Sequence, residues 1–382
     1  MKKTYLVAVF LLILPLTVGF KHKKPQLVPT VPEKINLVWQ ADVPDAEADF
    51  SRLPKVVGVN VISPCWFDIA TAHGLIRNKI TNKDYVTNMH ALGYKIWPLI
   101  TNSFNPELTH ALIHNPQGRE NLRNNLLELA DKYKFDGYNF DFENIADEDK
   151  NGLTDLVQEL AAALKPKKLV LSMDITMPSN TPYWSACYDR KALAKELDYI
   201  MLMAYDQHTP RQHQRGSTAA LNWVTDGLKQ TLNEVPATKL ILGLPLYSRL
   251  WDSQGQSLYA NGRTISMPAM EEAIVKQKVT PVWLPNEGQF YVEYQKYGKT
   301  YSFWQENAAS LLEKVKLVYK YDLPGIASWR KGFETDDIWL SIDTVLSPLK
   351  YASTSQTSDV KDNSKKTFRE KWQEKDSLIK NK

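Results

Sequence analysis

Eight apolar runs of strand length alternate with helix-like stretches along most of this 382-residue chain, and no other feature limits its fold as much. The runs are INLVWQ (35–40), VVGVNVIS (56–63), KIWPLIT (95–101), GYNFDFE (137–143), LVLSMDITM (169–177), YIMLMAY (199–205), LILGLPLY (240–247) and GIASW (325–329). The intervals after seven of them carry helical patterns; in RENLRNNLLELADKY, Leu122, Leu126, Leu129 and Tyr133 share one face. Near-continuous apolar strands separated by helices imply a parallel sheet covered by helices, and eight such units favour closure into a ring. The expected fold class is therefore α/β, a (β/α)8 TIM barrel. The interval of about 250–303 is too long for one helix, rich in Gly, Pro and aromatics, and alternates at its end as strands do. It reads as a small α+β insertion after strand seven.

The flanks differ in composition. Residues 1–20 place two lysines before an uncharged apolar run, and a basic cluster follows, which is the order of a secretory signal; an uncleaved N-terminal helix tethering the protein to a membrane is the alternative. Both predict a secreted or cell-envelope protein. Residues 21–34 read as a flexible linker, 35–350 as the barrel, and 351–382 as a disordered charged tail. Much of the basic excess behind the net charge of +4 sits in the terminal segments, and no basic stripe or nucleic-acid motif occurs, so no nucleic-acid partner is expected. Two cysteines, Cys65 and Cys187, are too few for a disulfide framework or a cysteine zinc site; a single bridge and two buried thiols both stay open.

The run GYNFDFE carries chemistry. Side chains alternate along a strand, so Asn139, Asp141 and Glu143 share one face and Tyr138, Phe140 and Phe142 the other. In a barrel the polar row enters the lumen and climbs to the C-terminal mouth, where Glu143 meets substrate with Asp141 one pleat deeper. Repulsion and partial burial raise one pKa of such a pair, which suits a general acid near neutral pH. A solvated edge or a buried hydrogen-bond network is the blander reading. The bulky aromatics weigh against it, because they leave the acidic face no solvent except through the mouth.

The segment DGYNFDFE resembles the D-G-x-x-x-D-x-E signature of glycoside hydrolase family 18, the chitinase-like barrels, and the resemblance covers about residues 35–345. MAYD (203–206), GLPLYSR (243–249) and GIASWRKGFE (325–334) resemble that family's sixth-, seventh- and eighth-strand segments. The resemblance implies that Glu143 protonates the glycosidic oxygen while Asp141 holds the substrate's N-acetyl group, whose own carbonyl is the nucleophile. It implies that Tyr205 hydrogen-bonds that carbonyl, that Asp206 contacts the same sugar and that Trp329 forms its apolar floor. Asn139, Asp136, Met203, Tyr247 and Arg249 complete the expected substrate-binding set. No cofactor and no metal are implied. Asn139 stands where many chitinases have a third Asp; it is expected to hydrogen-bond Asp141 without repelling it, giving a less raised Asp141 pKa and a shifted pH optimum.

DGYNFDFENI is further similar to the bacterial branch of spore-germination cortex-lytic enzymes and related peptidoglycan N-acetylglucosaminidases. The implied activity is a retaining, substrate-assisted cleavage of β-linked N-acetylglucosamine in cell-wall peptidoglycan. Hydrolysis of chitin or chitooligosaccharides is the rival enzyme, and a glycan-binding lectin the rival class; the joint presence of Glu143, Asp141 and Tyr205 argues against a lectin. Four other features have two readings each. His208 and His213 near Asp206 suit a polar cleft rim better than a metal site, since their spacing is irregular. Asp174 reads as a satisfied buried carboxyl or as a partner supporting the acids. Tyr183, Trp184, Trp251 and Trp283 either stack on sugar or pin loops. The lysines of the tail could meet an anionic wall, or simply be solvated.

Overall fold

Neighbouring residues of the same strand fall into two different apolar clusters, which is the signature of a sheet buried on both faces. Leu37, Trp39, Val61, Leu99, Met201, Ile241 and Ala327 form one cluster. Val38, Ile62, Ile100, Tyr138, Phe140, Met173, Leu202 and Ile326 belong to the other, which includes the helix residues Leu122, Leu126, Leu156, Val224 and Leu311. Each such side chain contributes about 1.5–3 kcal/mol when fully buried, so a one-residue slip of register would be expensive. The computed structural model describes residues 33–41, 55–78, 81–210, 214–252 and 264–355, with side chains to Tyr351. The expected leader, most of the linker and nearly all of the tail lie outside the described residues, as does His213.

The strands pair in parallel, neighbour to neighbour. Gly137–Asp141 pairs with Val170–Thr176, which pairs with Tyr199–Met203, then Leu240–Pro245, then Gly325–Trp329. Gly325–Trp329 pairs in turn with Ile35–Gln40, and that strand with Val61–Pro64. The third run is broken in two, and a further short strand follows the second beyond its expected end at 63. Val61–Pro64 pairs with Lys95–Ile96, and Phe67–Ile69 pairs with Leu99–Thr101, which joins Gly137–Asp141. Pro64 and Pro98 lack the N–H that a ladder needs, which accounts for a break at each. The expected strand over 56–60 does not form: the backbone turns there, with Gly58 at φ +80° and the place of a Cβ already taken by Asp343, 2.5 Å away.

The helices lie where the sequence places them, with sharper ends. Pro116–Tyr133 starts at Asn115, whose side chain accepts from the Gly118 amide, and stops at Lys134 in the left-handed conformation. After the seventh run the chain builds an antiparallel sheet from Trp251–Asp252, Val282–Leu284, Gln289–Lys296 and Lys299–Gln305, plus the helix Met267–Gln277. A buried ion pair, Lys314 to Glu306 at 2.5 Å, joins this sheet to the helix Ala308–Val315, because Glu306 also accepts from Gln289. Cys65 and Cys187 are both buried, and no disulfide joins them. The helix Pro348–Ser355 continues past Tyr351, where the tail was expected to begin. No helix among the described residues is long and apolar enough to cross a membrane.

Candidate active site

Asn139 lies fully buried at the middle of the fourth run, on the face opposite the helices. Its Oδ1 accepts from the Trp39 indole at 2.7 Å and from the Ser63 hydroxyl at 3.3 Å, and its Nδ2 donates to Asp174 Oδ1 at 2.8 Å. This corrects the expected bond from Asn139 to Asp141. Two residues along a strand are about 6.6 Å apart, whereas the neighbouring strand is about 4.8 Å away, so a short amide reaches across the sheet more readily than along it. The pairing of Phe140 with Met173 sets Asp174 level with Asp141.

Burial pushes the Asp141 carboxyl up to about 7, and its Oδ1 has no hydrogen-bond partner. Burial is the cause of this rise, and the uncharged Asn139 adds no repulsion to it. Asp174 is also raised well above the usual carboxylate range, by burial first and then by Asp141, with the Asn139 bond pulling the other way.

Glu143 stands two residues beyond Asp141, just past the strand end. Asn102 grips its backbone twice: Oδ1 accepts from the Glu143 amide at 3.1 Å and Nδ2 donates to its carbonyl at 2.8 Å. Tyr188 donates to the Phe142 carbonyl at 2.8 Å, so both sides of this peptide are held. Burial, then the charges of Asp141 and Asp206, raise the Glu143 carboxyl well above its ordinary value. A carboxyl so placed keeps its proton where a solvated glutamate has lost it, which is what a general acid requires.

Tyr205 follows the sixth strand and is half-buried, edge-on to Tyr247 at 6.3 Å. Burial and the nearby Asp174, Tyr247, Asp141 and Glu143 hold its phenol well above 10, so it is a donor throughout the working pH range. Asp206 adopts φ +58° and accepts at Oδ1 from both Tyr247 and Arg249, each at 2.7 Å. Trp329 ends the eighth strand, half-buried, with its ring 6.1 Å from that of Trp39. Met203 ends the sixth strand, paired with Thr176 and Gly243.

Asp136 is not part of this group. It precedes the fourth strand, at the end opposite Glu143, where it meets His90 at 2.8 Å, Lys95 at 3.0 Å and the Ile96 amide at 2.9 Å. The first Asp of the motif thus ties strand ends together. His208 Nδ1 lies 2.9 Å from the Ser217 carbonyl and lines a cavity with Gln207, Arg215, Glu287 and Trp304. Trp251 is fully buried and donates to the Gly216 carbonyl, so it pins a loop; Trp283 packs edge-on against Phe290. Trp184 lies 6.2 Å from Phe104, which is half exposed and whose carbonyl accepts from Asn144, the residue after the acid. Tyr183 is also exposed, and its amide donates to Asp147 Oδ1.

Sequence reasoning missed Trp39, Ser63, Asn102, Phe104 and Tyr188. Trp39 was visible as the one indole of its run, but the others carry no local signal, since their partners lie 40 to 76 residues away.

The sequence profile described as Glycosyl hydrolases family 18 matches residues 82–334. The chain is 27% identical over 263 residues to Uncharacterized glycosylase YvbX of Bacillus subtilis, a match spanning 65% of this chain and 74% of that protein. It is 24% identical to the Cortical fragment-lytic enzyme of Bacillus subtilis, spanning 66% of this chain but only 60% of that one. Among solved structures, a chitinase from Chromobacterium violaceum superposes with a TM-score of 0.74 at 24% identity, covering 82% of this chain and 99% of that one. The spore cortex-lytic enzyme SleL of Bacillus megaterium superposes at 0.73 with 21% identity, covering 83% and 75%.

Proposed function

The chain belongs to glycosyl hydrolase family 18, and we propose that it cleaves β-linked N-acetylglucosamine bonds of bacterial cell-wall peptidoglycan by a retaining, substrate-assisted route. The observation that carries this reading is the raised Glu143 carboxyl at the strand end, with the carboxyls of Asp141 and Asp174 raised beside it. Similarity to a cortical fragment-lytic enzyme favours peptidoglycan over chitin. We read the sheet as a closed ring of eight units. Val61–Pro64 with Phe67–Ile69, and Lys95–Ile96 with Leu99–Thr101, each count as one strand of it, paired to each other through both halves, so that every strand has a neighbour on both sides.

In this mechanism Glu143 gives its proton to the glycosidic oxygen as the C1–O bond breaks. The acetamide carbonyl oxygen of the same sugar attacks C1 from the opposite face and closes a five-membered ring. Asp141 accepts the acetamide N–H and offsets the positive charge of that ring. Tyr205 donates to the acetamide oxygen and holds it in line, while Trp329 supports the apolar face of the sugar. The Glu143 carboxylate then takes a proton from water, the water oxygen joins C1, and the ring opens with the original configuration restored. Asp206, steadied by Tyr247 and Arg249, binds the same sugar. A leader that carries the chain out of the cytoplasm would bring it to this polymer.

The test is reducing-end release from purified sacculi and, separately, from chitin, by the wild type and Glu143→Gln. Turnover of sacculi that Glu143→Gln abolishes supports the proposal. Turnover of chitin alone would overturn the wall assignment. Unchanged turnover in the variant would overturn the acid role.

A further inference from the structure

His110 and His114 lie one helical turn apart, and both rings reach the same carboxylate oxygen of Asp149. Nδ1 of His110 is 2.8 Å from Asp149 Oδ1, and Nε2 of His114 is 3.0 Å from it. His110 belongs to the helix Pro106–Ile113 that follows the third strand, and His114 ends it. Asp149 precedes the helix Lys150–Leu164 that follows the fourth. From these contacts we infer that His110, His114 and Asp149 form a binding site for a divalent ion of the zinc class, bridging the two helices.

Asp149 is what sets this cluster apart from a surface ion pair. It occupies the N-cap position of its helix, where an aspartate ordinarily accepts from the first-turn amides, yet its side chain makes no capping bond. Its carboxylate is turned to the histidines, fully buried, with Oδ2 lacking any partner. A buried carboxylate with one oxygen served twice and the other not at all is short of positive charge or donors. Both imidazoles are about half exposed, so an ion can enter from solvent and keep water on its open positions. The three ligand atoms lie within 4.8 Å of one another, compatible with the edges of about 3.3 Å that tetrahedral bonds of about 2 Å require. Two imidazoles and one carboxylate select zinc and its neighbours over magnesium or calcium, which prefer sets made entirely of oxygen.

The position gives the ion a task. The first helix is entered through Asn102, which grips Glu143, and the second is reached from Glu143 through Asn144 and Asp147. A staple here joins the two segments that hold the general acid. It lies outside the chemistry and is independent of the substrate assigned above.

The test is calorimetric titration of the purified, chelator-stripped chain with zinc chloride, with magnesium chloride in parallel, alongside thermal unfolding. The expected result is one zinc per chain, a rise of a few degrees in the unfolding midpoint, and no response to magnesium. The double variant His110→Ala/His114→Ala, in which both replaced rings are about half exposed, is expected to bind at least about 100-fold more weakly. His114→Gln, which keeps a hydrogen-bonding group beside Asp149 without a ring nitrogen, is expected to lose most of the affinity as well. Absence of saturable zinc binding would show a His–Asp–His hydrogen-bond cluster and overturn the inference. So would undiminished zinc binding in both variants, or equal binding of magnesium.

Discussion

Asn139 bonds to Asp174, the acid of the neighbouring strand, and not to Asp141 of its own strand. The site thus has three carboxyls, Asp141, Glu143 and Asp174, that share burial and repel one another, with one amide as a neutral spacer. Replacing the spacer by a fourth acid is expected to raise the affinity of the cluster for protons. In Asn139→Asp the Trp39 bond survives, while the donor to Asp174 becomes a carboxyl. Added negative charge raises the Glu143 pKa further, so the basic limb of kcat/KM should move up by about half to one pH unit. A pH–rate profile on one soluble oligosaccharide checks this; an unmoved or lowered limb would refute the electrostatic account.

Stability should carry the same signature. Asp141 titrates near 7 when folded, far above its unfolded value, so the folded state binds the extra proton between these limits. Its contribution is complete below about pH 4 and is lost as pH rises through about 7. Asp141→Asn lacks that loss. Relative to wild type it should gain about 2.5 kcal/mol between pH 5 and pH 8, which urea unfolding at the two pH values measures.

Tyr205→Phe removes one hydroxyl and keeps the ring that packs on Tyr247. Loss of a donor aimed at the attacking oxygen is expected to lower kcat by about 100- to 1,000-fold with little change in KM. Steady-state kinetics with a melting curve separate this from misfolding, and a variant losing only affinity would move Tyr205 to a binding role.

The Lys314–Glu306 pair is wholly buried, and Glu306 also accepts from Gln289 and Ser310. Lys314→Ala strands a buried carboxylate and should cost about 3–5 kcal/mol. Lys314→Met/Glu306→Gln, which discharges both ends together, should recover most of it. Chemical denaturation of the two variants gives the comparison.

Gly325 opens the eighth strand where a Cβ would lie 1.8 Å from the Ile35 carbonyl oxygen. Gly325→Ala must push the first and eighth strands apart and is expected to cost at least about 2 kcal/mol. An unchanged melting temperature would mean that this pairing relaxes freely.

Much of the molecule was legible before any coordinates. The runs 35–40 and 325–329 are strands to the residue, and the alternation of GYNFDFE put Phe140 among the helices and Asn139 on the other side. The second strand begins five residues later than its apolar run, because the stretch at 56–60 looks like strand while Gly58 needs a turn. Asp136 enters the binding set only by its place in a motif, and residues beyond opposite ends of one strand cannot serve one mouth.

Periodicity along the chain alone determined which residues face the helices and which face inward, because side-chain direction follows from backbone geometry over two or four residues. Only the tertiary structure decided that Asn139 serves Asp174, that Asn102 holds Glu143, and that two histidines converge on Asp149. Those contacts form between elements 35 to 41 residues apart. Their partners are set by strand register and helix packing, which no local pattern encodes.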